Sequence, residues 1–340
     1  MSKRKYYFTI AGLSAILVVG AYISIHMGNI KIPISAAFQA LCPNFQLLAE
    51  KIPDSDFESY LTIIKDIRAP RILAAILCGL ALSISGAAYQ SMFRNPLVSP
   101  DLLGVLAGAA FGALIGMLMG NTFIGAQAGA FIFGILAVIL AVALSVFFPG
   151  NRLVMLIMGG VISSSLFTSL LSIIKYMADS KEKLPGIIFW LMGGFSTVTS
   201  DSLYICAFII ILGSIILILM ANQLNLLSMG DEEAQSLGIN VTLTRNIIIG
   251  VTTAICATTV ALGGMIGWVG LMIPHIARMV TGPDNRQLLP VAGLIGAIYL
   301  MLVDDLCRCG FESEMPIGIV TSLLGVPFFI YVTYRTSGGR

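Results

Sequence analysis

Long apolar runs separated by short polar stretches follow one another along almost the entire chain. A run of about 20 residues, at a rise of about 1.5 Å per residue, can cross the roughly 30 Å hydrocarbon core of a bilayer. Outer-membrane barrels show short alternating segments instead, so the pattern excludes that class. We predict an all-α membrane protein with one transmembrane domain over residues 1–340. Its ten predicted transmembrane helices are 7–26, 70–92, 102–119, 123–147, 153–174, 202–221, 246–263, 268–281, 288–306 and 316–334.

Two apolar stretches are too short or too interrupted to be ordinary spans. The stretch GIIFWLMGGFS (186–196) has about eleven residues and predicts a short re-entrant half-helix. The eighth run is also short and contains Pro274. Broken helices in membrane proteins usually line a cavity, because only there can the freed backbone groups be satisfied. We therefore expect a translocation path near these two segments.

Two polar stretches between the runs are long. Residues 27–66 contain three prolines and an acidic patch, and we predict an outer loop there. Residues 222–245 form the long inner loop, with an acidic cluster at 231–233 and apolar residues at roughly helical spacing. This inner loop is either a solvated connector or a pair of short helices that presents an apolar stripe to a cytoplasmic partner.

Glycines recur every four residues along the third predicted span. They are Gly104, Gly108, Gly112, Gly116 and Gly120. Glycine at this interval leaves one face of a helix bare, so that a neighbouring helix can approach closely. The ladder predicts tight packing within one subunit or, as the alternative, the seam of a dimer.

The charges of the chain are few, and their distribution sets the orientation only weakly. Charged residues are 11% of the chain, against about 25% in soluble domains. We place the basic N-terminus in the cytoplasm, and an even number of spans returns the C-terminus there. This arrangement puts ten of the 19 lysines and arginines inside, a poor positive-inside bias. Three arginines placed outside, Arg68, Arg71 and Arg308, are the informative exceptions.

Catalytic motifs are missing from the sequence. It has no GxxxxGK[ST] phosphate loop, no HExxH motif and no GxSxG elbow, so we predict a transport subunit and not an enzyme. No ionisable side chain is predicted near the middle of a span, which disfavours an ion-driven carrier. His275, beside Pro274, either bonds a backbone carbonyl or serves the path. The six cysteines form no CxxC pair, and a disulfide among Cys42, Cys307 and Cys309 is left open.

Six stretches in chain order resemble the FecCD-type permeases, the membrane subunits of ABC importers for iron–siderophore, haem and cobalamin. They are RAPR (68–71), SGAAYQSMFRNPLVSPDLLG (85–104), FWLMGGF (189–195), LNLLSMGDEEAQSLGI (224–239), GGMIGWVGLMIPHIARMVTGPDNRQLLP (263–290) and EMPIGIVTSLLGVPFFI (314–330). The resemblance implies the type II ABC importer architecture in the cytoplasmic (inner) membrane of a bacterium or archaeon. Two copies of the permease would pair around a central path in the bilayer.

The resemblance also implies the partners of this chain. Two ABC ATPase subunits would bind ATP and magnesium, and an extracytoplasmic substrate-binding protein would deliver the cargo. No cofactor, metal or nucleic acid is implied for the permease itself. The cargo would be a metal chelate, with ferric siderophore as the first choice and haem, cobalamin or molybdate as alternatives. An ion-coupled secondary carrier is the rival from another class.

Three groups of site residues follow from the resemblance. Arg68, Arg71 and Arg308 match arginines that receive glutamates of the binding protein, and arginine's planar fork suits carboxylates. Asn95 and Leu97 match residues that narrow the cytoplasmic exit, and Gly150 and Asn151 occupy a second gating position where the family has small hydroxyl residues. The residues that match the ATPase-coupling helices are Leu226, Leu227, Met229, Gly230, Asp231, Glu232, Leu237 and Gly238. In that loop Asp231 stands for a glutamate of the family and Gln235 for an arginine.

Overall fold

Each of the ten predicted spans coincides with a helix in the computed structural model, which describes residues 1–28, 30, 32–33, 54–120, 123–148, 150–178, 184–311 and 313–337. The helices are α1 (Lys3–His26), α2 (Asp54–Thr62), α3 (Ala69–Phe93), α4 (Val105–Gly120), α5 (Phe123–Phe147), α6 (Arg152–Met177), α7 (Leu184–Leu191), α8 (Ser200–Leu219), α9 (Ala221–Leu227), α10 (Asp231–Ser236), α11 (Val241–Gly263), α12 (Val269–Thr281), α13 (Asn285–Cys309) and α14 (Ile317–Ser337).

The long helices are apolar enough to cross a membrane. Within the described residues, seven helices are long and apolar enough for this. Six are α1, α5, α6, α8, α11 and α13, and the seventh is the continuous helix Phe57–Phe93, which includes α3. Three shorter apolar helices, α4, α12 and α14, complete the set of ten. The chain is therefore a multi-pass helical membrane protein, as the apolar pattern predicts.

The second span begins much earlier than the sequence predicts. A π turn at Ile63–Arg68 joins α2 to α3, so that one helical stretch runs from Asp54 to Phe93. We predicted from the apolar run that this helix starts at residue 70. The π turn, in which the Ala69 N–H bonds the Ile64 carbonyl, carries the helix past Pro70. The predicted outer loop 27–66 is thus wrong from residue 54 onward, and residues 34–53 lie outside the described residues.

The stretch predicted as a half-helix forms α7, whose end is held by backbone hydrogen bonds to two other helices. After α7 the chain turns at Gly193, which has φ +82°. The Gly194 N–H donates to the carbonyl of Gly263, at the end of α11, over 2.9 Å. The Ile317 N–H, at the start of α14, donates to the carbonyl of Gly193 over the same distance. The freed backbone groups of this short element are therefore satisfied inside the protein, as membrane depth requires.

Helix α3 lies at the centre of the fold, where glycines allow close backbone approach. A Cβ on Gly79 would overlap the carbonyl of Gly296 in α13, and one on Gly86 would overlap the carbonyl of Gly270 in α12. The glycine ladder of α4 packs in the same way against α5 of the same chain. A Cβ on Gly112 or on Gly116 would strike the α5 backbone. Packing within one subunit is therefore confirmed for the ladder.

The chain between α3 and α4 turns back into the membrane. Helix α3 ends at Arg94, which takes the left-handed conformation. A short 3-10 turn follows at Pro100–Leu103, and its Leu102 carbonyl lies where a Cβ on Gly160 of α6 would be. Gly160 is eight residues, or about 12 Å, from the start of α6, the end that we predicted to be inner. The turn thus lies about a third of the way along the 26-residue α6, and it carries Asp101 to a level of the bundle where we predicted no ionisable residue.

Candidate functional site

An ion-pair cluster contains Arg71 at the ends of α3 and α13 that we predicted to be outer. Its Nε and Nη2 atoms bind the Asp304 carboxylate at 2.8–3.1 Å, and Nη2 also lies 2.8 Å from Glu314 Oε1. The Arg71 and Asp304 side chains are 8% and 1% exposed, whereas that of Glu314 is 32% exposed. Since Glu314 precedes α14, this cluster joins three elements of the outer face.

The other two outer arginines are also bound within the chain. Arg68 is buried and donates to the backbone carbonyls of Ile25 and Ile30. Arg308 is partly buried and pairs with Asp305 at 2.6 Å. It also donates to the Ser24 carbonyl, which ties α13 to the outer end of α1.

All three arginines predicted to receive glutamates of the binding protein thus have partners within the chain itself. A guanidinium left in the apolar outer part of the bundle would lose its hydration, so each takes a carboxylate or a carbonyl of its own chain. The three arginines lie where the ends of α1, α3 and α13 meet. Their docking role stays a prediction.

The residues predicted to gate the inner exit lie in exposed turns at the inner ends of α3 and α6. The Asn95 side chain accepts a hydrogen bond from the Leu97 N–H at 2.9 Å, and Leu97 is 65% exposed. Gly150 has φ +150°, and the Asn151 side chain caps α6 by accepting from Leu153 N–H at 3.0 Å. Each pair thus has a local structural role, and its gating role stays a prediction.

The inner loop folds into the two short helices α9 and α10, the second of the two alternatives. Leu227 is 1% exposed and packs into the main core, so it is not available to a partner. Leu226 is partly buried against the same core. Met229 and Leu237 are 60% and 57% exposed, and they form the apolar surface of this unit. The predicted stripe is therefore divided between the core and the surface.

Helix α10 is held to α11 by an ion pair that sequence reasoning missed. Arg245 is 1% exposed, and its Nη2 lies 2.9 and 3.0 Å from the two Asp231 carboxylate oxygens. Gly230 and Gly238, with φ +143° and +86°, form the turns on either side of α10. Glu232 is exposed. The position of α10 is thereby fixed relative to a membrane-spanning helix.

A hydrogen-bond network ties α9 to α3 and α13, and it too was missed. Asn285 is 1% exposed; its Oδ1 accepts from the Ser91 hydroxyl at 2.7 Å, and its Nδ2 donates to Asn225 Oδ1 at 2.9 Å. Asn225 in turn donates to Asp284, the N-cap of α13, at 2.7 Å. The only sequence feature that pointed to this network is Pro-Asp-Asn at 283–285, which is typical of the start of a helix.

We expect Asn285→Ala to lower the free energy of unfolding by about 2 kcal/mol, because it leaves the buried Ser91 hydroxyl without its acceptor and removes the side-chain bond to Asn225. Thermal unfolding of the purified protein in detergent measures the effect. The matched control is Asn222→Ala, which removes an exposed side chain from the same helix pair. Equal melting temperatures for the two variants would contradict the role of the network.

Helix α6 carries a line of hydroxyl groups on the side that faces away from the rest of the chain. Gly160, Ser163 and Phe167 lie on its buried side. The exposed hydroxyl residues, spaced i, i+3, i+4 and i+7, are Ser165, Thr168, Ser169 and Ser172. Ser169 and Ser172 donate to carbonyls one turn back, at 2.9 Å each, so their lone pairs remain available as acceptors. This face lies in the outer half of the span, about 20–30 Å from its inner end.

Comparison with known proteins identifies relatives over nearly the entire chain. The model of the FecCD transport family matches residues 16–335. The molybdate import system permease protein MolB of Haemophilus influenzae is 37% identical over 328 residues, 96% of each chain. A probable iron chelatin transport system permease protein of Helicobacter pylori is 36% identical over 285 residues, 84% of this chain and 86% of that one. The solved inward-facing structure of a metal-chelate type ABC transporter has a TM-score of 0.83 and 36% identity, over 96% of this chain and 98% of that chain.

Proposed function

This chain belongs to the FecCD transport family, and from that membership we propose that it carries a ferric siderophore or a similar metal chelate into the cytoplasm. It is a permease of the ABC importer type, a class whose members here import metal chelates, haem, cobalamin or molybdate. In the proposed complex an extracytoplasmic binding protein delivers the cargo. Two ATPase subunits, which bind ATP and magnesium, drive its passage.

The hydroxyl face of α6 is the observation that carries this proposal. Ser165, Thr168, Ser169 and Ser172 are exposed along one line of a long apolar helix, and their oxygen atoms can accept hydrogen bonds from water or from a cargo. A water-filled path between two copies of the chain would use them. Such a surface offers weak hydrogen bonds and no fixed charge, which suits a bulky complex that passes without giving up its metal.

The proposed surfaces for the ATPase and for the binding protein lie at opposite ends of the fold. At the inner face, Met229 and Leu237 present exposed apolar side chains to each ATPase. At the outer face, Arg68, Arg71 and Arg308 form the docking corner for the binding protein. A carboxylate of that protein would reach Arg71 by replacing Glu314, the more exposed of its two acidic partners. Charge pairs at an interface rim contribute mainly to association rate and orientation.

Molybdate is the second candidate cargo, because the similarity to MolB extends over 96% of both chains. The iron chelatin permease has nearly the same identity over a shorter region. Similarity alone does not separate the two cargoes, so a transport assay with each of them must.

We expect vesicles containing the permease, its cognate ATPase and its binding protein to accumulate ⁵⁵Fe-labelled ferric siderophore when ATP is enclosed. A variant of the ATPase that lacks its phosphate-loop lysine is the control, and it should abolish uptake. Ionophores that collapse sodium and proton gradients should leave uptake unchanged.

Two other outcomes would contradict the proposal. Accumulation of ⁹⁹Mo-molybdate without uptake of any iron chelate would replace the proposed cargo with the second candidate. Uptake that persists without the ATPase and stops with the ionophores would favour a secondary carrier.

A further inference from the structure

Asp101 places a carboxylate at mid-membrane depth. The 3-10 turn that carries it packs against Gly160 of α6, and the backbone of Gly104, just after the turn, lies beside Ser163 and Ser164. These α6 residues are about 12–18 Å from the inner end of their helix, at 1.5 Å per residue. A bilayer core of about 30 Å has its centre at that depth. Asp101 is nevertheless exposed.

Asp101 lines a cavity of about 310 Å³. Leu82 of α3, Leu106 of α4, Cys256 of α11 and Trp268 beside α12 contribute to its walls. The Ser99 hydroxyl, also in the wall, donates to the Asp101 carboxylate. The cavity therefore combines one acidic group with an indole ring and apolar side chains.

The position of Trp268 ties the cavity to the helix that ends the chain. This residue has φ +70°, a conformation that non-glycine residues rarely adopt. Its ring lies where a Cβ on Gly325 of α14 would be, and 6.1 Å from the Phe329 ring. The side of the cavity formed by Trp268 is thereby held between α12 and α14.

An exposed carboxylate at this depth cannot face lipid, because ionised groups inside a membrane face protein or water-filled cavities. Among the ion pairs of the described residues, none includes Asp101. Its negative charge is therefore directed into the cavity, where the low-dielectric walls strengthen its field.

We propose that Asp101 makes this cavity a cation-preferring step of the translocation path. The cavity takes the positively charged, N–H or O–H groups of a passing cargo and disfavours a free oxyanion. The inference rests on the proposed function for the path, and it adds a class of cargo: uncharged or cationic complexes with hydrogen-bond donors at their surface. Asp101 acts as a specificity residue and holds no metal of its own.

Charged thiol reagents measure this field without any cargo, ATPase or binding protein. The reporter is Leu106→Cys, because Leu106 lines the cavity and is partly exposed. The background replaces Cys42, Cys256 and Cys309. We expect a cationic methanethiosulfonate to modify the reporter about ten-fold faster than an anionic one, after correction for their reactivity with a free thiol. Asp101→Asn should reduce this ratio to near one, and Asp101→Glu should retain it.

Ser172→Cys, on the exposed outer part of α6, is the matched control reporter. At this reporter, the ratio of cationic to anionic modification rates should be the same whether residue 101 is aspartate or asparagine. An unchanged ratio at Leu106→Cys in the Asp101→Asn variant would overturn the proposal, and so would failure of both reagents to react there. Failure of chelate uptake in vesicles would count against the proposed function alone, since the reagent ratio is measured without transport.

Discussion

Replacing Arg71 with methionine is expected to destabilise the protein by about 3–5 kcal/mol, the cost of leaving a buried carboxylate without its partner. The Asp304 side chain is 1% exposed and receives three hydrogen bonds from Arg71 at 2.8–3.1 Å. Methionine has a similar length, so the lost volume is small and the electrostatic effect dominates. Thermal unfolding in detergent and the yield of folded protein measure the loss.

Two further variants separate this effect from simple loss of an arginine. Adding Asp304→Asn to Arg71→Met should restore part of the stability, because the uncompensated charge is then removed. Arg286→Met removes an arginine whose hydrogen bond is exposed, so it should change the melting temperature very little. Equal melting temperatures for Arg71→Met and Arg286→Met would contradict the structural role of the pair.

The spans could be predicted from sequence because a helix in lipid needs a long apolar run, whatever its neighbours are. The pairing of Arg71 could not, because Asp304 lies 233 positions away. Seen alone, an arginine at the end of an apolar run is equally compatible with docking and with burial. Whether such an arginine is buried or free to dock depends on acidic residues at the end of another span, here Asp304.

The depth of a turn is a second property that its local sequence does not encode. Residues 94–104 contain two prolines and several polar side chains, which are typical of a surface turn. The structure instead inserts the second half of this segment, residues 100–104, between α6 and α12. The glycines that allow the insertion, Gly160 and Gly270, belong to other helices, so only the assembled fold reveals how far along α6 Asp101 lies.

The inner helix pair shows the same limit within a single motif. Helical spacing identified Leu227 and Leu237 as apolar positions, but it could not tell which of them the chain itself covers. Leu227 is 1% exposed and Leu237 is 57% exposed. Burial thus assigns the first to the core and leaves the second for a partner.

Replacing Met229 and Leu237 together with aspartate is expected to release the ATPase subunits from the permease. Both side chains are more than half exposed in the folded chain, so the change should leave its own stability nearly intact. Truncation of central apolar contacts costs about 2 kcal/mol or more each, and two such losses weaken an interface roughly 1,000-fold. Co-purification of the ATPase with a tagged permease measures the association, and thermal unfolding verifies the fold.

Leu243→Asp is the matched control for this prediction, because Leu243 has the same exposed fraction, 57%, and lies in the first turn of α11. It should retain the ATPase, since it leaves the surface of Met229 and Leu237 unchanged. Leu227→Asp should instead prevent folding, because it places a charge in the core. Intact co-purification of the double variant would contradict the assignment of this surface. Equal release by Leu243→Asp would show that exposed apolar area in general, and not these two side chains, holds the ATPase.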